Sequence, residues 1–502
     1  MSVGYIKINE RDNNITVVSE QGYTKGQFIK DLDININEDI SHGNKICIDS
    51  IKKDDPIIRY GEIIGYANRD IKKGDLIDQY SMYIKASDNL DINIPYESRK
   101  AINKNNKQRF FMGYENEDGT VGTRNLLAIS TNVQCSEGFI NVLIERIKKE
   151  LLPKYKNVDG VVSLSHLYGC GVAIKAKNSE IPQRIIENIL KNPNFGGEVM
   201  MICLGCEKYT YDMIESITDN DVIVQQDNNF HTTLKNAMDM AEQKLKKLNE
   251  RKRTKQPISK LRVGLQCGGS DALSGITANA TIGYVSDRLV EYGASVIFSE
   301  CTEVRDASHI ILSRIQDKKL RKKFIDEMTW YDNYLDEGEV DRSANPSPGN
   351  KKGGLATIID KAMGSVAKSG SSDITDILSP GEIIKKQGLT FAATPASDFV
   401  CGTCQLASGI NIMLFSTGRG TTYNLSQVPV LKLSTNNILY KKWNDLIDFN
   451  CGDIALGTKT TEELGEELID FIIEIASGNC NTKSDELGLY NQLAVFNPAP
   501  IT

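Results

Sequence analysis

The sequence predicts an α/β protein in which a small β-rich N-terminal domain precedes two α/β regions with largely parallel sheets. Three observations carry this. Residues 1–94 are short strand-like runs (YIKI, NITVV, KICI, IIGYA) punctuated by Asp-Asn, Lys-Lys-Gly-Asp and Asp-Asp-Pro turns. From residue 111 onward, apolar runs alternate with amphipathic stretches, the pattern of βαβ units. Two charged, aperiodic stretches divide the chain: PYESRKAINKNNKQRF (95–110) reads as a linker and RKRTKQPISK (251–260) as a hinge. The expected units are therefore 1–94, a linker 95–110, a central α/β domain 111–255 and a C-terminal α/β domain 256–502.

In the central unit, LLAIS (126–130), GVVSLS (160–165), VMMICL (199–204) and DVIVQQ (221–226) read as strands. The stretches GFINVLIERIKKELL, IPQRIIENILK, one near YDMIESI, and LKNAMDMAEQKLKKLNE read as the intervening helices. The C-terminal unit opens with the strand RVGLQ, the helix IGYVSDRLVEYG and the strand ASVIFS, and closes on a helix near EELGEELIDFIIEIASG.

Composition narrows the function classes. Of 502 residues, 40% are hydrophobic and 25% charged, ordinary for a globular protein able to bury sizeable cores. A net charge of -7 leaves no basic footprint for nucleic acid. No window approaches the roughly 18 consecutive apolar residues of a membrane span, and the polar start MSVGYIKINERDNN lacks a signal-peptide core. A cytoplasmic protein is expected; a homo-oligomer is left open. The 11 cysteines are odd in number and dilute, unlike a disulfide scaffold, so reduced thiols serving as ligands or site residues are expected. The only histidines are His42, His166, His231 and His309, so a metal here would use cysteine, carboxylate or mixed ligation.

Position then singles out residues. Cys135 follows the first strand of the central unit, His166 and Cys170 the second, and Cys206 and Glu207 the third; Cys267 follows RVGLQ, and Glu300 with Cys301 follow ASVIFS. In open parallel sheets, ligands bind outside the carboxyl ends of the strands. His166 is the histidine best placed to act. Single cysteines of this kind are often core residues, but recurrence after five strands favours a site. Lys351 and Lys352 in the loop NPSPGNKKGG (345–354), Arg419 in TGRGTTYN (417–424) and Arg124 in DGTVGTRN suit carboxylate binding. Cys401 and Cys404 have C-x-x-C spacing, compatible with redox or metal chemistry, though packing is the weightier reading.

Several segments together resemble the galactarate/altronate dehydratase family, which also includes sulfolactate sulfo-lyase. They are GYENEDGTVGTRN (113–125), HLYGCGVA (166–173), LGCEK (204–208), LQCGGSDALSGITAN (265–279), SECTEVRDA (299–307), SANPSPGNKKGG (343–354), TPASDFVCGT (394–403) and STGRGT (416–421). The ending FNPAPIT resembles the galactarate branch. The resemblance covers nearly the whole chain. It implies an SAF-like N-terminal domain, a sugar-acid substrate, loss of water to a 2-keto-3-deoxy product, and dependence on a divalent metal, Fe²⁺. An iron–sulfur cluster on three separated cysteines is the alternative.

On this reading Cys135, His166, Cys170, Cys206 and Glu207 form the metal-proximal set. Asp271, Glu300, Glu303 and His166 are catalytic candidates. Arg124, Ser270, Asn345, Ser347, Asn350, Lys351, Lys352 and Arg419 are the substrate-binding candidates. The chain departs from the family at Asn9 and Asn44, where relatives commonly carry histidines, and at Asp78 and Tyr80, where altronate dehydratases carry a further pair. The N-terminal domain is therefore not expected to be the main source of metal ligands. Other outcomes are an altronate dehydratase, a sulfolactate sulfo-lyase, or a sugar-acid sensor without turnover. A Rossmann-type oxidoreductase is disfavoured because the glycines lack G-x-G-x-x-G spacing.

Overall fold

The computed structural model describes residues 4–85, 90–97, 108–340 and 344–501, so positions 98–107 of the expected linker lie outside the described residues. The N-terminal domain is built of short antiparallel strands. One sheet orders Tyr5–Ile6, Asn14–Val17, Lys45–Cys47 and Leu76–Ile77; a second orders Pro56–Arg59, Glu62–Ala67 and Met82–Tyr83. Ile15, Val17, Ile34 and Ile46 fill its core.

The central sheet orders Gly160–Ser163, Leu126–Ser130, Val199–Cys203 and Val222–Val224, all parallel. Leu126–Ser130 is buried along its whole length, which is why LLAIS reads as a continuous apolar run. The helix Phe230–Glu250 buries Leu234, Ala237, Ala241, Leu245 and Leu248, spaced three and four apart, against this sheet. The stretch near YDMIESI forms only a single 3₁₀ turn, Tyr211–Met213.

The C-terminal sheet has seven strands, all parallel, in the order Ile374–Leu378, Gly388–Ala392, Ser295–Ser299, Arg262–Cys267, Ile412–Thr417, Val430–Ser434 and Phe449–Asn450. The sheet grows first to one side of Arg262–Cys267 and then to the other. The central sheet likewise grows to both sides of Leu126–Ser130. Each sheet thus has a topological switch point, where connections diverge and leave a crevice beyond the carboxyl ends.

The stretch read as a charged hinge is a strand. Thr254–Pro257 pairs antiparallel with Phe110–Glu115, from Phe110 opposite Pro257 to Gly113 opposite Thr254. Phe111 and Val121 of this ribbon pack in the C-terminal core, so the two α/β domains are fastened together. A shared apolar cluster that includes Ile185, Leu406, Phe415 and Tyr423 joins them as well. Among the described residues, no helix is long and apolar enough to cross a membrane.

Candidate active site

At the C-terminal switch point, two neighbouring strands end in chemistry. Cys267 closes Arg262–Cys267. Glu300 follows Ser295–Ser299 at φ 79° and starts the short helix Cys301–Val304, which carries Glu303. A non-glycine residue at such a φ is uncommon, and strained backbone of this kind gathers at functional sites. A third element faces them. The helix Ile358–Val366 and the turn after it present Lys361, Ser365 and Lys368, four and three residues apart and so on one face.

The contacts are close. Lys361 Nζ lies 2.7 Å from Glu303 Oε1, and Ser365 Oγ donates to Glu303 Oε2 at 2.7 Å. Lys368 Nζ lies 3.1 Å from Cys267 Sγ and 3.7 Å from Glu303 Oε2. Gln266 Nε2 donates to Glu300 Oε1 at 2.8 Å and to Asp398 Oδ1 at 3.1 Å, while Glu300 Oε2 has no hydrogen-bond partner among the described residues.

The two carboxyls are driven apart. Burial, reinforced by the neighbouring Glu303 charge, raises Glu300 well above the ordinary carboxyl range. Burial would raise Glu303 too, but Lys361 and Lys368 outweigh it and hold that group low. Burial first, then Glu303, pushes the Cys267 thiol up to about 11. One protonated and one ionised carboxyl therefore sit side by side, the arrangement that marks an acid and a base.

The expected carboxylate-binding loops converge beside this cluster. Lys361 Nζ also donates to Asn345 Oδ1 at 2.9 Å. Ser347 and Asn350 cap each other around the short helix Pro348–Lys352, and Asn350 Nδ2 donates to Ser270 O at 2.8 Å. Asp271 is saturated. Leu273 N and Ser274 Oγ donate to its Oδ1, and Thr435 Oγ1 and Asn436 Nδ2 to its Oδ2. A Cβ on Gly418 would fall 2.2 Å from Asp271 Cγ, so only glycine fits there. Asp271 thus anchors the loops. The N-terminal domain touches the same segments: Arg59 Nη2 donates to Ala272 O at 2.6 Å and Lys45 Nζ to Gly354 O at 2.6 Å.

The central switch point carries the exposed thiols. Cys135, Cys170 and Cys206 are free and exposed, on loops after three adjacent parallel strands. The loops are tied together: Gln134 N donates to Tyr168 O, and Asn132 Nδ2 to Tyr209 O. Glu207, half-buried, accepts from Gly205 N at 2.6 Å. Tyr168 and Tyr209, which flank Cys170 and Cys206, share an apolar cluster with Tyr423 from the Arg419 loop.

Other expected residues have structural roles. His166 is buried, with Nε2 3.0 Å from Thr131 O and Nδ1 accepting from Tyr168 N at 3.2 Å. With both ring nitrogens engaged, it holds loops instead of offering a ligand or base, and burial lowers its pKa to about 4. Arg124 donates through Nη1 to Thr123 O and Ile475 O, at the end of the helix Thr461–Ala476 and at the amino end of its own strand, away from the carboxyl edge. Cys401 and Cys404 are buried in the helix Asp398–Ala407, and Cys401 Sγ donates to Gln266 Oε1. Asn9 Oδ1 accepts from Arg11 N in a turn.

Two sets of side chains offer donors to a metal. Cys267, Glu300 and Glu303 offer ligand atoms within 4.8 Å of one another. The ammonium groups of Lys361 and Lys368 already serve them, and each unit of like charge about 4 Å away costs a cation about 4 kcal/mol at an effective dielectric of 20. That group suits proton transfer better than a cation. The three exposed thiols do not bring their sulfurs within 4.8 Å of one another among the described residues; soft thiolates suit iron, and separated ones suit a cluster.

Lys361, Ser365, Lys368 and Gln266 escaped the sequence reading. For the first three the signal is slight, polar residues at helical spacing on the otherwise apolar stretch IIDKAMGSVAK; Gln266 is a lone polar residue at the end of an apolar strand.

Comparison with known proteins covers the same three domains. Residues 3–84 match the altronate/galactarate dehydratase SAF domain, 113–249 the D-galactarate dehydratase/altronate hydrolase second domain, and 258–501 the D-galactarate/altronate dehydratase C-terminal domain. The chain is 49% identical to galactarate dehydratase (L-threo-forming) of Escherichia coli K12, over 99% of this chain and 97% of that protein. It is 33% identical to altronate dehydratase of Bacillus subtilis 168, over 98% of each. It is 27% identical to the (2R)-sulfolactate sulfo-lyase subunit beta of Chromohalobacter salexigens, over 76% of this chain and 96% of that one. With all three domains matched in order and a relative near half identity along its full length, the chain belongs to the galactarate/altronate dehydratase family.

Proposed function

We propose that this protein is a hydro-lyase that dehydrates galactarate to a 5-dehydro-4-deoxy product. What supports this most is the buried Glu300–Glu303 pair with opposite protonation, set at a switch point beside loops bearing uncommitted basic groups. The activity named for the 49% identical relative points the same way.

Dehydration removes the proton next to a carboxylate and expels the hydroxyl from the adjacent carbon. The enol so formed becomes the 2-keto acid. The proton is weakly acidic because the neighbouring carboxylate is already negative, so charge must be stabilised as it builds. Lys361 and Lys368 take that role at the reacting carboxylate. As the substrate draws Lys361 from Glu303, Glu303 regains basicity and accepts the proton. Glu300 gives its proton to the departing hydroxyl, which leaves as water. A proton passing from Glu303 to Glu300 resets the pair. Asp271 is a positioning residue that fixes both loops. Iron held by Cys135, Cys170 and Cys206 would supply Lewis-acid polarisation of the carboxylate and hydroxyl.

The test is an anaerobic assay with Fe²⁺ and reductant across galactarate, altronate, glucarate and sulfolactate, following keto-acid formation with semicarbazide. Galactarate is expected to react fastest. Far faster turnover of altronate, or release of sulfite from sulfolactate as the leading activity, would overturn the reading.

A further inference from the structure

The basic groups at the C-terminal switch point fall into two sets. Lys368 is buried and Lys361 half-buried, and both are committed, to Glu303 and Cys267. Arg419 is exposed, and no hydrogen bond or ion pair holds it among the described residues. Its neighbours leave room around it. A Cβ built on Gly349 would stand 3.6 Å from Arg419 Nε, and one on Gly269 would stand 3.6 Å from Arg419 Cβ. The side chain therefore runs between two glycines that place nothing against it.

Next to Gly269 is Ser270, 3% exposed, whose Oγ has no hydrogen-bond partner among the described residues. A buried hydroxyl left without a partner is costly, and it marks a position where an acceptor belongs. The acidic side chain next to it in sequence, Asp271, is saturated by its own donors. An unengaged guanidinium and an unengaged hydroxyl together suit a carboxylate. Ser270 lies three residues beyond Cys267, so their Cα atoms are at most about 11 Å apart, within reach of the two ends of one short substrate.

We infer that Arg419 and Ser270 bind the second carboxylate of a dicarboxylic sugar acid, and so select an aldarate over an aldonate, which has only one. This rests on the dehydratase reading, in which the first carboxylate lies at Lys361 and Lys368. Arg419 supplies a paired, charge-assisted contact, and Ser270 fixes its orientation.

The test compares galactarate with altronate, the latter as substrate or as competitive inhibitor, on the full metal-loaded protein carrying Arg419→Gln, Arg419→Lys or Ser270→Ala. Arg419 is exposed, so its variants are expected to fold. Arg419→Gln should lower kcat/KM for galactarate by about tenfold to a hundredfold, the range of a hydrogen bond to a charged group. Altronate should change less than about threefold. Arg419→Lys should recover part of the loss, and Ser270→Ala should show a smaller loss of the same selectivity. Equal losses on both substrates, or a galactarate value within about threefold of the parent, would overturn the inference. If the parent protein does not turn over galactarate, the dehydratase reading fails separately, and calorimetric binding of galactarate then decides. Binding lost in Arg419→Gln sustains the pocket; binding unchanged, or absent in the parent, refutes it.

Discussion

Replacing Asp360 by asparagine removes the carboxylate that bridges Lys45 and Arg59, and all three side chains are fully buried where the N-terminal domain meets the C-terminal domain. Asp360 Oδ2 lies 2.8 Å from Lys45 Nζ, and Oδ1 lies 2.6 Å from Arg59 Nη1. Burial alone would raise the Asp360 pKa, but the two cations bring it from 3.8 down to about 2, worth about 2 kcal/mol to the charged form. Asparagine also strands two cations without a counter-charge, and breaking a buried pair in this way costs about 3–5 kcal/mol. The loss should fall on the docking of the N-terminal domain. Hydrogen exchange at the Asn14–Val17 and Lys45–Cys47 strands reads that docking, while Trp330 and Trp443 report on the C-terminal domain. The lowered pKa also sets the pH dependence: this stabilisation is complete above 3.8 and is lost as pH falls toward 2. Replacing all three residues by apolar ones of similar size should cost less than Asp360→Asn alone. A loss below about 1 kcal/mol, with unchanged exchange in both strands, would refute the clamp.

Serine at Cys135, Cys170 or Cys206 should lower bound iron, measured by elemental analysis, in a protein of unchanged circular dichroism; serine at Cys404 should not. Glu300→Gln should cut kcat by about 10²–10⁴, the usual worth of a general acid. In the parent, kcat should fall at alkaline pH as Glu300 loses its proton, since its pKa is raised. His166 is buried neutral with its pKa brought from 6.5 to about 4, so the native state takes up its proton later than the unfolded chain. Stability should be full above pH 6.5, decline by about 3 kcal/mol as pH falls to 4, and level off below; urea titrations of the parent against His166→Asn, which should lack this decline, check it.

The fold was legible because its strands are buried on both faces. Continuous apolar runs such as LLAIS and VMMICL, followed by amphipathic helices, admit few readings other than parallel βαβ units. Thr254–Pro257 was not legible, because its partner lies more than a hundred residues away and its polar composition mimics a hinge. For the site, strand-end position pointed to Cys267, Glu300 and the thiols through a rule about sheets that needs no coordinates. Lys361 and Lys368 were hidden because a lysine paired inside a site looks like any surface lysine until its carboxylate partner is placed beside it. His166 misled for the converse reason: its position is right, but backbone atoms 131 and 168 consume both ring nitrogens.

The division of labour between Glu303 as base and Glu300 as acid is tested most directly by proton exchange. Galactarate is incubated in D₂O with Glu300→Gln and with Glu303→Gln, and deuterium next to each carboxylate is followed by NMR. Glu300→Gln should exchange that proton while releasing little keto acid, because the base remains and the hydroxyl has no proton to leave with. Glu303→Gln should do neither. Retained exchange or turnover in Glu303→Gln would contradict the assignment and move the base elsewhere.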